Sequence, residues 1–317
     1  MQVGMIVGEA TPLSWDRWRH IVGLAERLGF SSLFRSDHYF NGIQKDAIDV
    51  YLSFVAAGLE SSSLRFGPLV SPVTFREPVN VGRMAQQLDA LSGGRFVLGL
   101  GVGWFEDEHR IYGLDYPSLG ERYDRLADAI ELMQVLWYDA PGHYQGRYYR
   151  LDGTDSRPHP PAGRPPILIG GNGPRRTLEL VARFADEWNA SGQRPDDYAA
   201  SVATLERHCA TIGRDPASIR RSMLLFTTAA PTAELSDLVA RRAIDMFAPG
   251  SGLQPGDLND EGGRPRVFVG STEQLIDRCG RLAELGLSEV VFEHFCHERD
   301  DVPEWIAAEI APALAGL

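Results

Sequence analysis

Three stretches of the chain bring together residue types that can do chemistry. Ser36–Asp37–His38–Tyr39–Phe40 sets a carboxylate beside an imidazole. Such a pair can act as acid, base or hydrogen-bond donor near neutral pH, and it also reads as an ordinary capped loop histidine. The run LGLGVGW, residues 98–104, puts Gly99, Gly101 and Gly103 at alternate positions after an apolar segment, where backbone could approach a ligand closely. ILIGGNGPRRTLEL, residues 167–180, passes from an apolar strand through Gly170, Gly171, Asn172 and Gly173 into a helix with Pro174 in its first turn. Free N–H groups at the positive end of a helix, with Arg175 and Arg176 nearby, suit a phosphate; a plain strand-to-helix turn with surface arginines has the same sequence.

Several chemistries are excluded or weakened. The glycines at 99, 101 and 103 are spaced G-x-G-x-G, and no acidic residue ends a strand about twenty positions on, so a dinucleotide fingerprint is not met. The loop at 170–173 lacks the G-K-[ST] ending of a nucleoside triphosphatase, and no G-x-S-x-G elbow offers a nucleophilic serine. EDEH (106–109) and HFCH (294–297) invite a metal, but neither has ligand spacing, and the first reads as a solvated charge run. A formal charge of −12 argues against nucleic-acid or anionic-membrane surfaces. Cys209, Cys279 and Cys296 are few and scattered, as in a reducing compartment. With no signal-peptide pattern in MQVGMIVGEATPL and no long apolar run, the expectation is a cytoplasmic protein acting on a small molecule.

The elements that must carry these residues alternate in type. Apolar runs at 2–7, 31–36, 64–70, 95–101, 166–170, 187–191, 221–227 and 288–294 read as strands, each followed by a stretch of helical period. Trp15, Trp18, Val22, Ala25 and Leu28 mark the first helix, stopped at Gly29; Leu119, Tyr123, Leu126, Ile130, Met133 and Trp137 stripe a longer one. Eight such units predict an α/β fold, a (β/α)8 TIM barrel in one domain spanning 1–317, with a doubly wound open sheet as the competing arrangement. Two interruptions are expected: 138–165, with a small hairpin and a proline-rich linker, and 249–266, of a length usual for a lid or a disordered loop.

In such a barrel the carboxyl ends of the strands line the active site. Those ends deliver Asp37 and His38, Leu69 to Pro72, Gly101 to Trp104, Gly170 to Gly173, Trp188 and Asn189, and Glu293 and His294 to one rim. Tyr39, Trp104 and Trp188 are aromatic surfaces there on which a flat ring could stack, or simply packing.

The blocks SDHYF (36–40), GPLVSPVTFREPV (67–79), LDALSGGRFVLGLGVGWFEDEHRIYGLDYPSLGERYDRL (88–126) and PILIGGNGPRRTLELVARFADEWN (166–189) resemble the bacterial luciferase-like monooxygenase superfamily, and most of all its coenzyme F420-dependent oxidoreductase branch. The resemblance runs over nearly the whole chain. It implies a barrel, often dimeric, holding a flavin or deazaflavin at the strand ends. It implies that Asp37 and His38 lie at the reactive face of the ring, with His38 as proton donor or acceptor. It implies that Pro68, Leu69, Val70 and Ser71 form a bulge behind the ring, with a non-prolyl cis peptide at Pro68–Leu69 or, next, Leu69–Val70. Gly101, Val102, Gly103 and Trp104 would seat the ring, Val102 through its backbone. Gly170, Gly171, Asn172, Gly173 and Arg175 would hold the phosphate, and Trp188 and Asn189 complete the site. Arg175, Arg176 and Arg76 are candidates for an acidic cofactor tail.

One departure bears on substrate. Sugar-phosphate and alcohol dehydrogenases of the branch tend to carry a Glu where this chain has Trp104, which weakens a sugar-phosphate reading. Glu106 and Glu108 could substitute, although acidic residues at a helix start are the simpler account. The leading expectation is hydride transfer between F420 and an uncharged organic substrate. The rivals are an FMN-dependent monooxygenase using oxygen, and a non-catalytic flavin- or deazaflavin-binding protein.

Overall fold

The computed structural model describes residues 1–8, 13–40, 47–158, 163–248, 250–258 and 267–317. Its strands are β1 (Gln2–Val7), β2 (Ser32–Arg35), β3 (Arg65–Pro68), β4 (Leu98–Gly101), β5 (Ile167–Gly170), β6 (Glu187–Ser191), β7 (Arg220–Thr227) and β8 (Glu289–Glu293). Neighbours pair in parallel from β3 through β2 and β1 to β8, and from there through β7, β6 and β5 to β4. The gap between β3 and β4 is narrowed by a parallel bridge from Phe66 to Phe96, and higher up by a two-residue strand, Ser71–Pro72, paired with Leu100 and Gly101. The expected barrel is therefore present and nearly closed. A second short strand, Val267–Phe268, pairs in parallel alongside the upper end of β7.

Strand alternation sorts the core into two layers. Val3, Met5, Leu33, Phe66, Leu98, Ile167 and Ile169 join the large apolar cluster shared with the helices, while Ile6, Phe34, Leu69, Val97, Leu168 and Val291 form a separate cluster. Drawn from strands all round the barrel at alternating positions, the second set fills its interior. The interior also holds an ion network. Arg65 bridges Glu187 at 2.6 Å and Glu289 at 3.2 Å, Arg220 joins Glu289 at 3.0 Å, and Ser31 and Ser32 donate to Glu289. Burial alone would raise the Glu289 carboxyl, but Arg65 and Arg220 hold it below the ordinary carboxylate range.

The helices form where the sequence period placed them. In Trp15–Leu28 the Ser14 hydroxyl accepts from the Arg17 N–H, Trp18, Ile21, Val22 and Ala25 are buried, and Gly29 at φ 76° ends the helix, a conformation that favours glycine. The 138–165 interruption contains the expected hairpin, Gly142–Gln145 against Arg150–Thr154. The Asp128 carboxylate holds it by accepting from the Tyr148 and Tyr149 N–H groups at 2.6 and 3.1 Å. Of the segment 249–266, residue 249 and residues 259–266 lie outside the described residues; within the remainder, Leu258 packs on Ala240 and Ile244. No described helix is long and apolar enough to cross a membrane.

The third predicted strand, 64–70, differs from expectation. It stops at Pro68, a cis peptide follows at Leu69–Val70, one bond beyond the first choice from the resemblance, and the chain pairs again at Ser71.

Candidate active site at the barrel mouth

From the end of β2 the chain carries Asp37 and His38 over the mouth. Asp37 is buried, and its Oδ2 accepts from the Ser71 hydroxyl at 2.6 Å and from Arg76 Nη1 at 2.6 Å. Arg76 also reaches Asp49 at 3.3 Å and lies over the Tyr51 ring, whose hydroxyl meets Ser71 Oγ at 3.0 Å. Burial would lower the Arg76 guanidinium, but Asp37 more than offsets this and raises it above its usual range. A buried carboxylate needs such a partner, and here the pair fixes the segment around Ser71 against the β2 loop.

His38 Nδ1 lies 2.8 Å from Glu108 Oε2. Glu108 sits on the short helix Glu106–Tyr112 and is fully buried. Its other oxygen accepts from the N–H groups of Tyr39 and of Phe40, the latter at 3.2 Å. A carboxylate accepting from Nδ1 selects the tautomer with its proton there, so Nε2 becomes the nitrogen for proton exchange. This corrects the solvated reading of EDEH. Glu106 and Asp107 are exposed, but Glu108 and His109 are buried, with His109 bonded to Phe105 O at 2.8 Å and Thr74 Oγ1 at 2.6 Å.

The alternating glycines prove to be sites of close packing. A Cβ on Gly99 would lie 1.9 Å from the Pro68 carbonyl oxygen. One on Gly101 would lie 2.6 Å from Val70 Cγ2, and one on Gly170 2.8 Å from Val70 Cγ1. Val70, just past the cis bond, thus stands as a ridge against two bare strands, so Gly101 makes room for Val70 and not directly for a ligand ring. Gly103 has φ 74°, in the left-handed region. The expected free backbone at Val102 is partly taken: Arg122 Nη1 donates to the carbonyls of Val102, at 3.3 Å, and Gly103. Trp104 is 61% exposed, edge-on to His38 with centroids 5.7 Å apart and stacked on Phe105 at 5.2 Å.

The loop after β5 is held from both sides. Gly171 has φ 125°, its carbonyl accepts from Trp188 Nε1 at 2.9 Å, and the Asn172 side chain pairs with the backbone of Ser191 at 2.7 and 2.9 Å. It leads into the helix Thr177–Phe184, where Tyr123 OH meets Thr177 Oγ1 at 2.7 Å. A Cβ on Gly173 would lie 2.6 Å from that Thr177 oxygen. Arg175 is exposed beside the loop. Of the other two arginines considered for a cofactor tail, Arg176 is paired with Asp124 and Arg76 with Asp37.

The remaining predicted rim residues are held in other contacts. Trp188 is fully buried and stacks on Tyr198 of the helix Pro195–Thr211, so its ring supports the Gly171 loop from outside the barrel. Asn189 gives its amide to Ser222, which donates to Glu187 in the ion network. Glu293 is buried, accepting from the Gly8 N–H at 3.1 Å and the Phe295 N–H at 2.7 Å, with His297 at 2.9 Å. His294 is buried too; desolvation, with His297 adding to it, lowers it to about 3 and keeps it neutral. Tyr39 stacks between Phe75 and Tyr112 at 4.8 and 4.6 Å. Sequence reasoning passed over Arg122, whose position within an apolar helical stripe was the available signal.

These features define a parallel (β/α)8 barrel whose polar chemistry collects at the carboxyl ends of its strands. The family model for luciferase-like monooxygenase matches residues 2–289, and the chain belongs to that family of oxidoreductases. It is 34% identical over 324 residues to the F420-dependent glucose-6-phosphate dehydrogenase of Intrasporangium calvum, covering 92% of this chain and 93% of that one. It is 23% identical over 342 residues to the FMNH(2)-dependent dimethylsulfone monooxygenase of Pseudomonas fluorescens, covering 99% and 92%. The solved structure of an F420-dependent secondary alcohol dehydrogenase, in complex with an F420-acetone adduct, superposes with a TM-score of 0.80 at 18% identity over 99% of this chain and 98% of that one, a likeness of fold.

Proposed function

We propose that the chain is an F420-dependent oxidoreductase that transfers a hydride between the deazaflavin and a small uncharged organic substrate. The observation that carries this reading is the His38–Glu108 pair, an oriented proton carrier tied through neighbouring Asp37 to the Val70 ridge. The residues fit a flat ring with a phosphate tail. Val70, braced by Gly101 and Gly170, gives the ring an apolar back; Pro68, Leu69 and Ser71 hold that back in place. Asn172 and Gly173, the following helix start and exposed Arg175 give the phosphate N–H donors and charge, while the Gly171 N–H is kept by the Asn189 carbonyl at 2.9 Å. Gly103 bounds the ring on the β4 side.

When bound, the deazaflavin supplies the hydride chemistry. The chain orients and protonates. His38 gives or takes a proton at Nε2 while Glu108 holds Nδ1–H, and Asp37 keeps the loop and ridge in register. The relatives at 34% and 23% identity name different cofactors, and FMN is the alternative that a direct binding comparison separates. The whole chain acts as one barrel unit in the cytoplasm and pairs as a homodimer. Support for the pairing comes from Leu52, Val55 and Leu59, exposed at helical spacing on a helix with no charge before Glu60.

His38→Asn tests the proton role, because its amide can still donate to Glu108. Turnover is expected to fall about 10²–10⁴-fold with cofactor affinity nearly unchanged. Unchanged turnover would remove His38 from the mechanism.

A further inference from the structure

We propose that Trp104 is a platform on which the substrate stacks, and that the substrate it selects is a planar, aromatic, uncharged molecule. The inference rests on reading the mouth as the reaction site, and it narrows that reading to a substrate class.

Trp18, Trp137 and Trp188 are each no more than 2% exposed, whereas Trp104 presents 61% of its surface. A large aromatic left open beside a proton carrier is apolar area available to a ligand. The ring is also fixed. It stacks on Phe105 with planes 22° apart and meets the His38 ring edge-on at 77°. Behind it, the Trp104 carbonyl accepts from Tyr116 OH at 3.0 Å, and Arg122 holds the carbonyls of the two preceding residues. A ligand face laid on Trp104 therefore meets a surface already in position, which lowers the ordering cost of binding. Its polar end then falls beside His38.

Among the described residues, the charges around this surface argue against an anionic substrate. Arg76 is committed to Asp37 and Asp49, and Arg122 to backbone carbonyls and the Tyr116 ring. Neither guanidinium is available to a phosphate or carboxylate without breaking the contacts that shape the mouth. Aromatic rings also stack in offset geometry with a preference that saturated rings of equal size do not share. Trp104 thus discriminates by ring planarity as well as by charge.

The test uses the full chain, apo and deazaflavin-loaded, titrated calorimetrically with acetophenone, with its saturated counterpart cyclohexyl methyl ketone, and with glucose-6-phosphate. Wild type is expected to bind acetophenone about fivefold or more tighter than the saturated ketone, and the sugar phosphate least. Trp104→Ala should erase the aryl preference, Trp104→Phe should keep most of it, and both should bind deazaflavin within about twofold of wild type. The platform is overturned if wild type shows no aryl preference, if Trp104→Ala retains it, or if Trp104→Ala loosens the deazaflavin instead. Failure of wild type to bind deazaflavin would sink the cofactor reading, while the aryl preference of the apo chain would still decide the role of Trp104.

Discussion

Replacing Glu108 with Gln preserves shape and removes one charge. Oε1 accepts two backbone N–H groups, from Tyr39 and Phe40, so the glutamine must keep its carbonyl oxygen there or forfeit both bonds, each worth about 0.5–1.5 kcal/mol. Its NH2 then faces His38 Nδ1, where Oε2 now lies at 2.8 Å. Two donors cannot share that contact, and the imidazole relieves it by carrying its proton on Nε2 instead of Nδ1. Nε2 then already carries a proton and cannot take another, and the imidazolium that would give one no longer has a carboxylate at Nδ1–H. Losing a positioned acid or base costs about 10²–10⁴ in rate, or about 2.8–5.6 kcal/mol in the barrier at roughly 1.4 kcal/mol per factor of ten. Two assays read it: nitrogen NMR of the labelled His38 ring for the tautomer, and turnover at saturating cofactor for the rate. Glu108→Gln should show the Nε2–H tautomer, the stated loss of turnover, and cofactor affinity near wild type. Persistence of the Nδ1–H form with turnover within about threefold of wild type would refute the reasoning.

Gly101→Ala forces a Cβ to within 2.6 Å of Val70 Cγ2, an overpacking that should cost about 1–3 kcal/mol in denaturant unfolding and weaken cofactor binding. Adding Val70→Ala should recover at least half of the stability, and a double variant worse than either single one would show that the two side chains do not compete for this space. Leu59→Glu, at a position 66% exposed, should convert a dimer to monomer in analytical ultracentrifugation, and a monomeric wild type would contradict the pairing proposed for that helix. His294, held neutral with its value lowered from 6.5 to about 3, makes folding sensitive to acid. Between those values the unfolded chain binds a proton that the native one refuses, so stability should fall by about 1.4 kcal/mol per pH unit on acidification. Glu293 and Glu289, both lowered, add their own loss below their ordinary value of 4.5. Urea unfolding of His294→Gln should show a flatter profile above pH ~5, and a slope equal to wild type would assign the effect elsewhere.

The barrel was legible in the sequence because burial on two faces repeats eight times: short apolar runs, each followed by helical period, leave few other folds open. Side-chain parity is legible too. In Glu187–Trp188–Asn189–Ala190–Ser191 the polar residues alternate with Trp188 and Ala190, which assigns the tryptophan to the helix side, where it stacks on Tyr198. Glu108 was harder. It stands in a run with two exposed acids, and its burial depends on backbone donors at Tyr39 and Phe40, far away in sequence. The glycines signalled close approach correctly, yet what approaches Gly99, Gly101 and Gly170 is Pro68 and Val70 of a neighbouring segment. Local pattern announces that space is needed; only tertiary structure says which group fills it.

The central claim is that this mouth holds a deazaflavin. Parallel fluorescence titrations of the purified apoprotein with F420 and with FMN test it most directly. Micromolar or tighter binding of F420, with FMN much weaker, is the predicted result, and Arg175→Ala should weaken the F420 arm. Preference for FMN would contradict the claim and move the chain to the oxygen-using side of its family, and failure to bind either would remove the cofactor from the account.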